Sequence, residues 1–146
     1  MALFDKNLSP NNEKKEGKNM IFRNPTTVHP PLASYSHQVE VSDNAKWLVL
    51  SAQIGMDEDG HVPEDIYSQI ELTFDNILLN LEAAGMKKEN LAKLVFYFVG
   101  SHDVERRRNI VQKRLGEHQP CMTVIYVAGL AGPALKVEIE AWACCE

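Results

Sequence analysis

The residues best suited to chemistry in this chain are two carboxylates, Glu138 and Glu140, separated by one residue in the run "KVEIEAWA". In an extended strand alternate side chains share a face, so Glu138, Glu140 and Trp142 point one way while Val137, Ile139 and Ala141 point the other. A strand whose second face is fully apolar packs on a core. Two acids on its opposite face, next to a tryptophan, then need a partner, a ligand or a proton-transfer role. The other reactive side chains do not cluster by sequence. Five histidines are scattered, and no Cys-x-x-Cys, His-x-x-x-His or phosphate-cradling Gly loop occurs, so no metal or cofactor is expected. Cys121 follows Pro120 at a strand start, as a reactive thiol near a cleft or as an inert buried one. His37 is read as a hydrogen-bonded or surface residue and His118 as part of a helix-to-strand connection.

The elements that must hold the two acids follow from periodicity. "QPCMTVIYVAGLAGPALKVEIEAWACC" reads as two strands joined by a Gly/Pro turn. Upstream, His37 to Val41 alternates as a strand, "SDNA" turns, and "KWLVLSAQIGM" is a second strand. Ile66, Ile70, Phe74, Ile77 and Leu81 recur at helical steps, predicting an amphipathic helix that ends near Gly85. "LAKLVFYFVG" is a strand buried on both faces. A second helix runs from about Asp103 to Leu115, with Ser101 or Asp103 as its cap and Gly116 as its stop. Its apolar stripe is Val104, Val111 and Leu115, which puts Arg108 in the inward position between them. The order ββαβαββ predicts an α+β fold: a mixed sheet with two helices on one face.

Length and composition limit the function classes. A chain of 146 residues fits one domain. Residues 1–20 are rich in Asn, Lys and Glu and are expected to form a loose arm ahead of a folded unit spanning 21–146. Neither a secretory signal nor an apolar run of about 18–20 residues is visible, and three cysteines fit reduced thiols, so a cytoplasmic protein without membrane contact is expected. The net charge of −5 opposes binding to nucleic acid, since the one basic cluster, Arg106 to Arg108, spreads around a helix. On the strand from Cys121 both faces are apolar. A sheet face carrying Val124, Tyr126 and Trp142 is too apolar for water, which points to packing on another copy.

Four stretches together carry a family resemblance: "PLASYSHQVEV", "LSAQIGMDEDGHVPEDIYSQIELTFDNILLNLEAAGM", "EHQPCMTVIYVAGL" and "VEIEAWA". They resemble the Rid (reactive intermediate deaminase, YjgF-like) family over about residues 22–143. The resemblance implies a chorismate-mutase-like subunit, a homotrimer with the sheets inside, and small-molecule clefts at the subunit interfaces. Deaminases of that family hydrolyse enamines and imines to a carbonyl product and ammonia. The imine carbon is already electrophilic, so the protein must hold the substrate, position water and move a proton, the last worth about 10²–10⁴-fold.

Carried over by position, Glu138 matches the glutamate that positions or activates water, and Tyr35 matches the cleft tyrosine. Two positions depart from the pattern. Where the family has an arginine that grips the substrate carboxylate, this chain has Met122, and a thioether makes no charge-assisted pair. That removes about 2–5 kcal/mol of recognition. Where the family has a glycine in "SGQI", this chain has Ala52, which reshapes the cleft. With Arg108 and Val124 these complete the expected substrate-binding set: Tyr35, Ala52, Arg108, Met122 and Val124. Arg108 either grips an anion or reaches solvent or a neighbour's Glu140. Glu138 is either the catalytic acid-base group or a structural interface acid. The expected function is enamine or imine hydrolysis, the alternative a non-catalytic binding module that kept the trimer.

Overall fold

The structure is a computed structural model that describes residues 14–17 and 19–146, with side chains described from residue 19. Residues 1–13 and 18 of the expected arm lie outside the described residues. The segment Lys14–Gly17 is a short strand, β1, antiparallel to β2 (Met20–Arg23), and β2 pairs with β3 (Gln38–Val41). The sequence reading did not contain β1 and β2. The expected ββαβαββ order starts at β3 and continues through β4 (Lys46–Ile54), α1 (Ile66–Ala83), β5 (Leu91–Val99), α2 (Val104–Leu115), β6 (Cys121–Val127) and β7 (Val137–Cys145).

The main sheet has the order β4-β7-β5-β6, with β5 and β6 parallel and the other neighbours antiparallel. Helix α1 begins where the Asp65 carboxylate accepts the Ser68 N–H at 2.8 Å, the usual repair for an unpaired helix-start donor. It ends before Gly85, whose φ of +70° is a left-handed conformation that suits glycine. Of its predicted stripe, Ile70, Phe74, Ile77 and Leu81 are buried and Ile66 packs partly buried against them. The stripe packs with Leu94, Phe96 and Phe98 of β5 and with Val137, Ile139 and Ala141 of β7 in one core. Each such side chain contributes roughly 1.5–3 kcal/mol by leaving water.

Both helices therefore cover one face of the sheet. Among the described residues the other face is covered at one end, where Met20 and Phe22 of β2 pack on Ala92 and Cys144. Two buried polar side chains tie the connections to this frame. Gln69 on α1 donates to the carbonyls of Pro63 and Ala134 and accepts the Lys136 N–H, which fixes the loop entering β7. Ser36 donates to the Gln119 carbonyl at 2.6 Å and its N–H bonds to Pro120, fixing the loop before β3 against the entrance of β6.

Candidate functional site

Strand β6 is the edge of the main sheet, and its phase decides which residues form a site. In the parallel register Met122, Val124 and Tyr126 lie opposite Leu94, Phe96 and Phe98, so they share the helix-covered face. Thr123 and Ile125 lie opposite Val95 and Tyr97, on the face that carries Glu138, Glu140 and Trp142. This corrects the expectation that Val124 and Tyr126 accompany Trp142. Alternation did not reveal the phase because both faces of β6 are apolar. The register with β5 sets it.

On the helix side, β6 extends beyond the cover of α2 and leaves a cleft of about 460 Å³. Its walls are the loop from Leu32 to Tyr35, Phe96 of β5, Met122 and Val124 of β6, and the α2 residues Glu105, Arg107, Arg108 and Val111. The loop is preorganised: the Tyr35 hydroxyl accepts the Leu32 N–H at 3.2 Å, and the Tyr35 ring meets His37 edge to face. His37 is in turn held by the His29 carbonyl at 2.6 Å, a hydrogen-bonding role. His118, whose Nε2 meets the Leu91 carbonyl at 2.8 Å while its ring packs on Phe22, also holds structure in place. Burial pushes its pKa below 6.5, opposed by that hydrogen bond.

Helix α2 presents a different face from the predicted one. Arg107 is buried with 7% exposure, whereas Val104 and Arg108 are exposed. The inward positions are Arg107, Ile110, Val111, Arg114 and Leu115, so Val111 and Leu115 of the expected stripe do face inward, while Val104 does not and Arg107 takes the place expected for Arg108. Arg114 supplies a reason: it pairs with Asp75 and Glu71 and bonds the Glu71 carbonyl on α1, which locks the helix rotation. At the helix start the Asp103 side chain caps the Arg106 N–H, the Asp103 N–H bonds the Tyr67 hydroxyl, and the Arg106 guanidinium lies over the Tyr67 ring. Arg108 is left at the mouth of the cleft.

Three neutral groups hold Arg107. Its Nη1 lies 3.0 Å from His102 Nε2 and 3.0 Å from the Tyr126 hydroxyl, and its guanidinium is 5.2 Å from the Phe98 ring centre. Arginine only donates, so His102 Nε2 must accept and the imidazole is neutral. Burial first, then the Arg107 charge, lower the His102 pKa below 6.5, with Asp103 acting in the opposite direction. Nothing in the sequence singled out Arg107. Three adjacent arginines offered no way to choose the inward one.

On the opposite face of the sheet, Glu138 is half-buried and its carboxylate makes no hydrogen bond among the described residues. Burial, and then the neighbouring Glu140, raise its pKa above 4.5. Glu140 is engaged, accepting from the Tyr97 hydroxyl at 2.8 Å, which in turn holds the Tyr97 proton more tightly. Lys93 on the same face donates to the Thr123 hydroxyl at 2.7 Å. Around these polar groups Trp47, Val49 and Ile125 are exposed in the single chain. The structure thus brings Tyr35, Arg108, Met122 and Val124 together and leaves Glu138 across the sheet from them. Ala52 lies at a register irregularity in β4 and does not line the cleft. The thiol of Cys121 is raised by burial and is a poor nucleophile. No group of His, Cys, Asp and Glu able to hold a metal occurs among the described residues, and no helix in them is long and apolar enough to cross a membrane.

This arrangement has relatives. A RutC family protein of Aquifex aeolicus is 38% identical over 68 residues, 46% of this chain and about half (52%) of that relative. A RutC family protein of Pyrococcus horikoshii is 28% identical over 113 residues, covering 76% of this chain and 86% of its own. Among solved structures, the Rid family protein YyfB of Yersinia pestis superposes with a TM-score of 0.77 at 26% identity, over 86% of this chain and 98% of that one. RidA of an Antarctic Psychrobacter gives 0.63 at 27% identity, over 78% and 90%. The profile described as Endoribonuclease L-PSP matches residues 26–145, so the chain belongs to that family, the Rid/YjgF proteins.

Proposed function

We propose that the protein hydrolyses a small enamine or imine to a carbonyl compound and ammonia, in clefts completed by a neighbouring copy in a homotrimer. The observation that carries this reading is Glu138. It is a carboxylate with a raised pKa and no hydrogen-bond partner in the chain, on a sheet face whose apolar residues need cover. A structural acid would have satisfied its oxygens, as Glu140 does through Tyr97. A carboxylate whose pKa is raised by desolvation suits taking a proton from water and returning it to the departing amine. The helix-side cleft, lined by Tyr35, Met122, Val124 and two arginines, supplies the binding half. Because Glu138 and that cleft occupy opposite faces of one sheet, an active site that uses both takes them from two copies. Hydrolysis of this kind needs neither metal nor cofactor, and a cytoplasmic setting would suit it. The carboxylate face and the net charge of −5 give no support to nucleic acid as substrate.

The test is the decay of imines generated in situ by an amino-acid oxidase, across acidic, neutral and aromatic amino acids. Acceleration by the wild type that disappears in Glu138→Gln is expected. If no imine decays faster with the protein present, the catalytic reading fails and the non-catalytic binding module replaces it.

A further inference from the structure

The geometry points to Arg107 as the group that receives the carboxylate of a small monoanionic ligand, such as a 2-keto or 2-imino acid, in the cleft between α2 and β6. Arg107 is more than nine-tenths buried, yet it forms no ion pair among the described residues. An unpaired buried cation is expensive, and its neutral holders, His102, Tyr126 and Phe98, do not offset the charge. Both of its hydrogen bonds use Nη1 alone. The other guanidinium nitrogens make no hydrogen bond among the described residues, and Arg107 lines the cleft. Their planar fork fits two carboxylate oxygens.

Three features make this a built site. The Phe98 ring and the Tyr126 hydroxyl hold the guanidinium in place, which limits the entropy lost on binding. Bonded to Arg107, the Tyr126 hydroxyl acts as acceptor and keeps its own proton available to a ligand oxygen. Met122 of β6 also lines the cleft, as does Arg108 at its mouth. The Glu105 carboxylate lines the same cleft on the exposed side and sets a limit on its positive field.

The identity of the ligand as a keto or imino acid rests on the proposed deaminase reading, while anion binding at Arg107 does not. The experiment titrates the full-length protein calorimetrically with pyruvate and with pyruvamide, its uncharged counterpart. Wild type is expected to bind pyruvate at least about 30-fold more tightly than pyruvamide, and folded Arg107→Met is expected to lose that preference. Equal affinity for the two, no binding of pyruvate, or a preference that survives Arg107→Met overturns the assignment. Should Arg107→Met fail to fold, the Nε–Hε resonance of Arg107 in the wild type decides. A shift on adding pyruvate supports the site and an unmoved resonance refutes it. Imine hydrolysis distinguishes the two readings: a charge-selective cleft without turnover removes the deaminase and keeps Arg107, and turnover indifferent to ligand charge does the reverse.

Discussion

Arg107 on α2 donates to the hydroxyl of Tyr126 on β6 at 3.0 Å, and this contact joins the helix to the edge strand. It places a permanent cation beside a strand whose own cleft position, Met122, is neutral.

A swap tests that arrangement. Arg107→Met removes the cation and Met122→Arg restores one from the opposite wall, so the double variant is expected to recover at least about tenfold of the pyruvate affinity lost in Arg107→Met. Calorimetry on the two variants measures it. Affinity in the double variant no better than in Arg107→Met would mean that position 122 does not face the bound anion.

Glu138→Gln is expected to abolish imine hydrolysis while leaving the melting temperature at pH 7 unchanged or higher. The sign follows from its raised pKa. Between the unfolded value near 4.5 and the higher folded value the native state holds more protons, so ionising Glu138 at neutral pH costs stability that the amide does not. Paired thermal melts and imine-decay rates report both quantities. A large drop in melting temperature would instead make Glu138 a structural interface acid.

Stability is expected to fall as pH drops below about 6.5. His102 and His118 both have lowered pKa values in the folded chain, mainly through burial. The unfolded chain then takes up protons first, and stability rises with pH through the window below 6.5. Urea midpoints measured at pH 5 and pH 7.5 show the difference in wild type. His118→Gln, which keeps a polar partner for the Leu91 carbonyl, is expected to flatten it. An unchanged slope would assign the pH dependence to other groups.

The open sheet face gives an assembly prediction. Val49 lies opposite Trp142 and is 60% exposed in the single chain, so Val49→Lys costs the subunit little. If that face is buried between three copies, a lysine there is strongly unfavourable, and sedimentation is expected to change from trimer to monomer with loss of turnover. A variant of unchanged mass would place the contact elsewhere.

Gly55→Ala is expected to destabilise by about 1–3 kcal/mol. A Cβ at Gly55 would sit 2.6 Å from the Gln69 carbonyl oxygen, and Gln69 is pinned by three hydrogen bonds and has no room to retreat. The denaturant midpoint measures this, and an unmoved midpoint would show that α1 shifts freely against β4.

The sequence by itself determined the layers. The 3.6-residue recurrence from Ile70 to Leu81 admits one buried helix face, and in β7 the alternation of Val137, Ile139 and Ala141 with two glutamates admits one phase. Those patterns are unambiguous because opposite faces carry opposite chemistry. The hairpin of β1 and β2 was not legible, since KKEG has no apolar residue and MIFR carries apolar residues on both faces, so neither alternates. Nor was the phase of β6, where both faces are apolar, or the rotation of α2, where Arg106, Arg107 and Arg108 are chemically identical. Tertiary structure decided both: strand register turned Val124 and Tyr126 toward the helices, and the clamp of Arg114 on α1 turned Arg107 inward and left Arg108 at the rim. Identical side chains acquire different roles only from the partners that surround them, and for Arg107 those partners come from three separate segments of the chain.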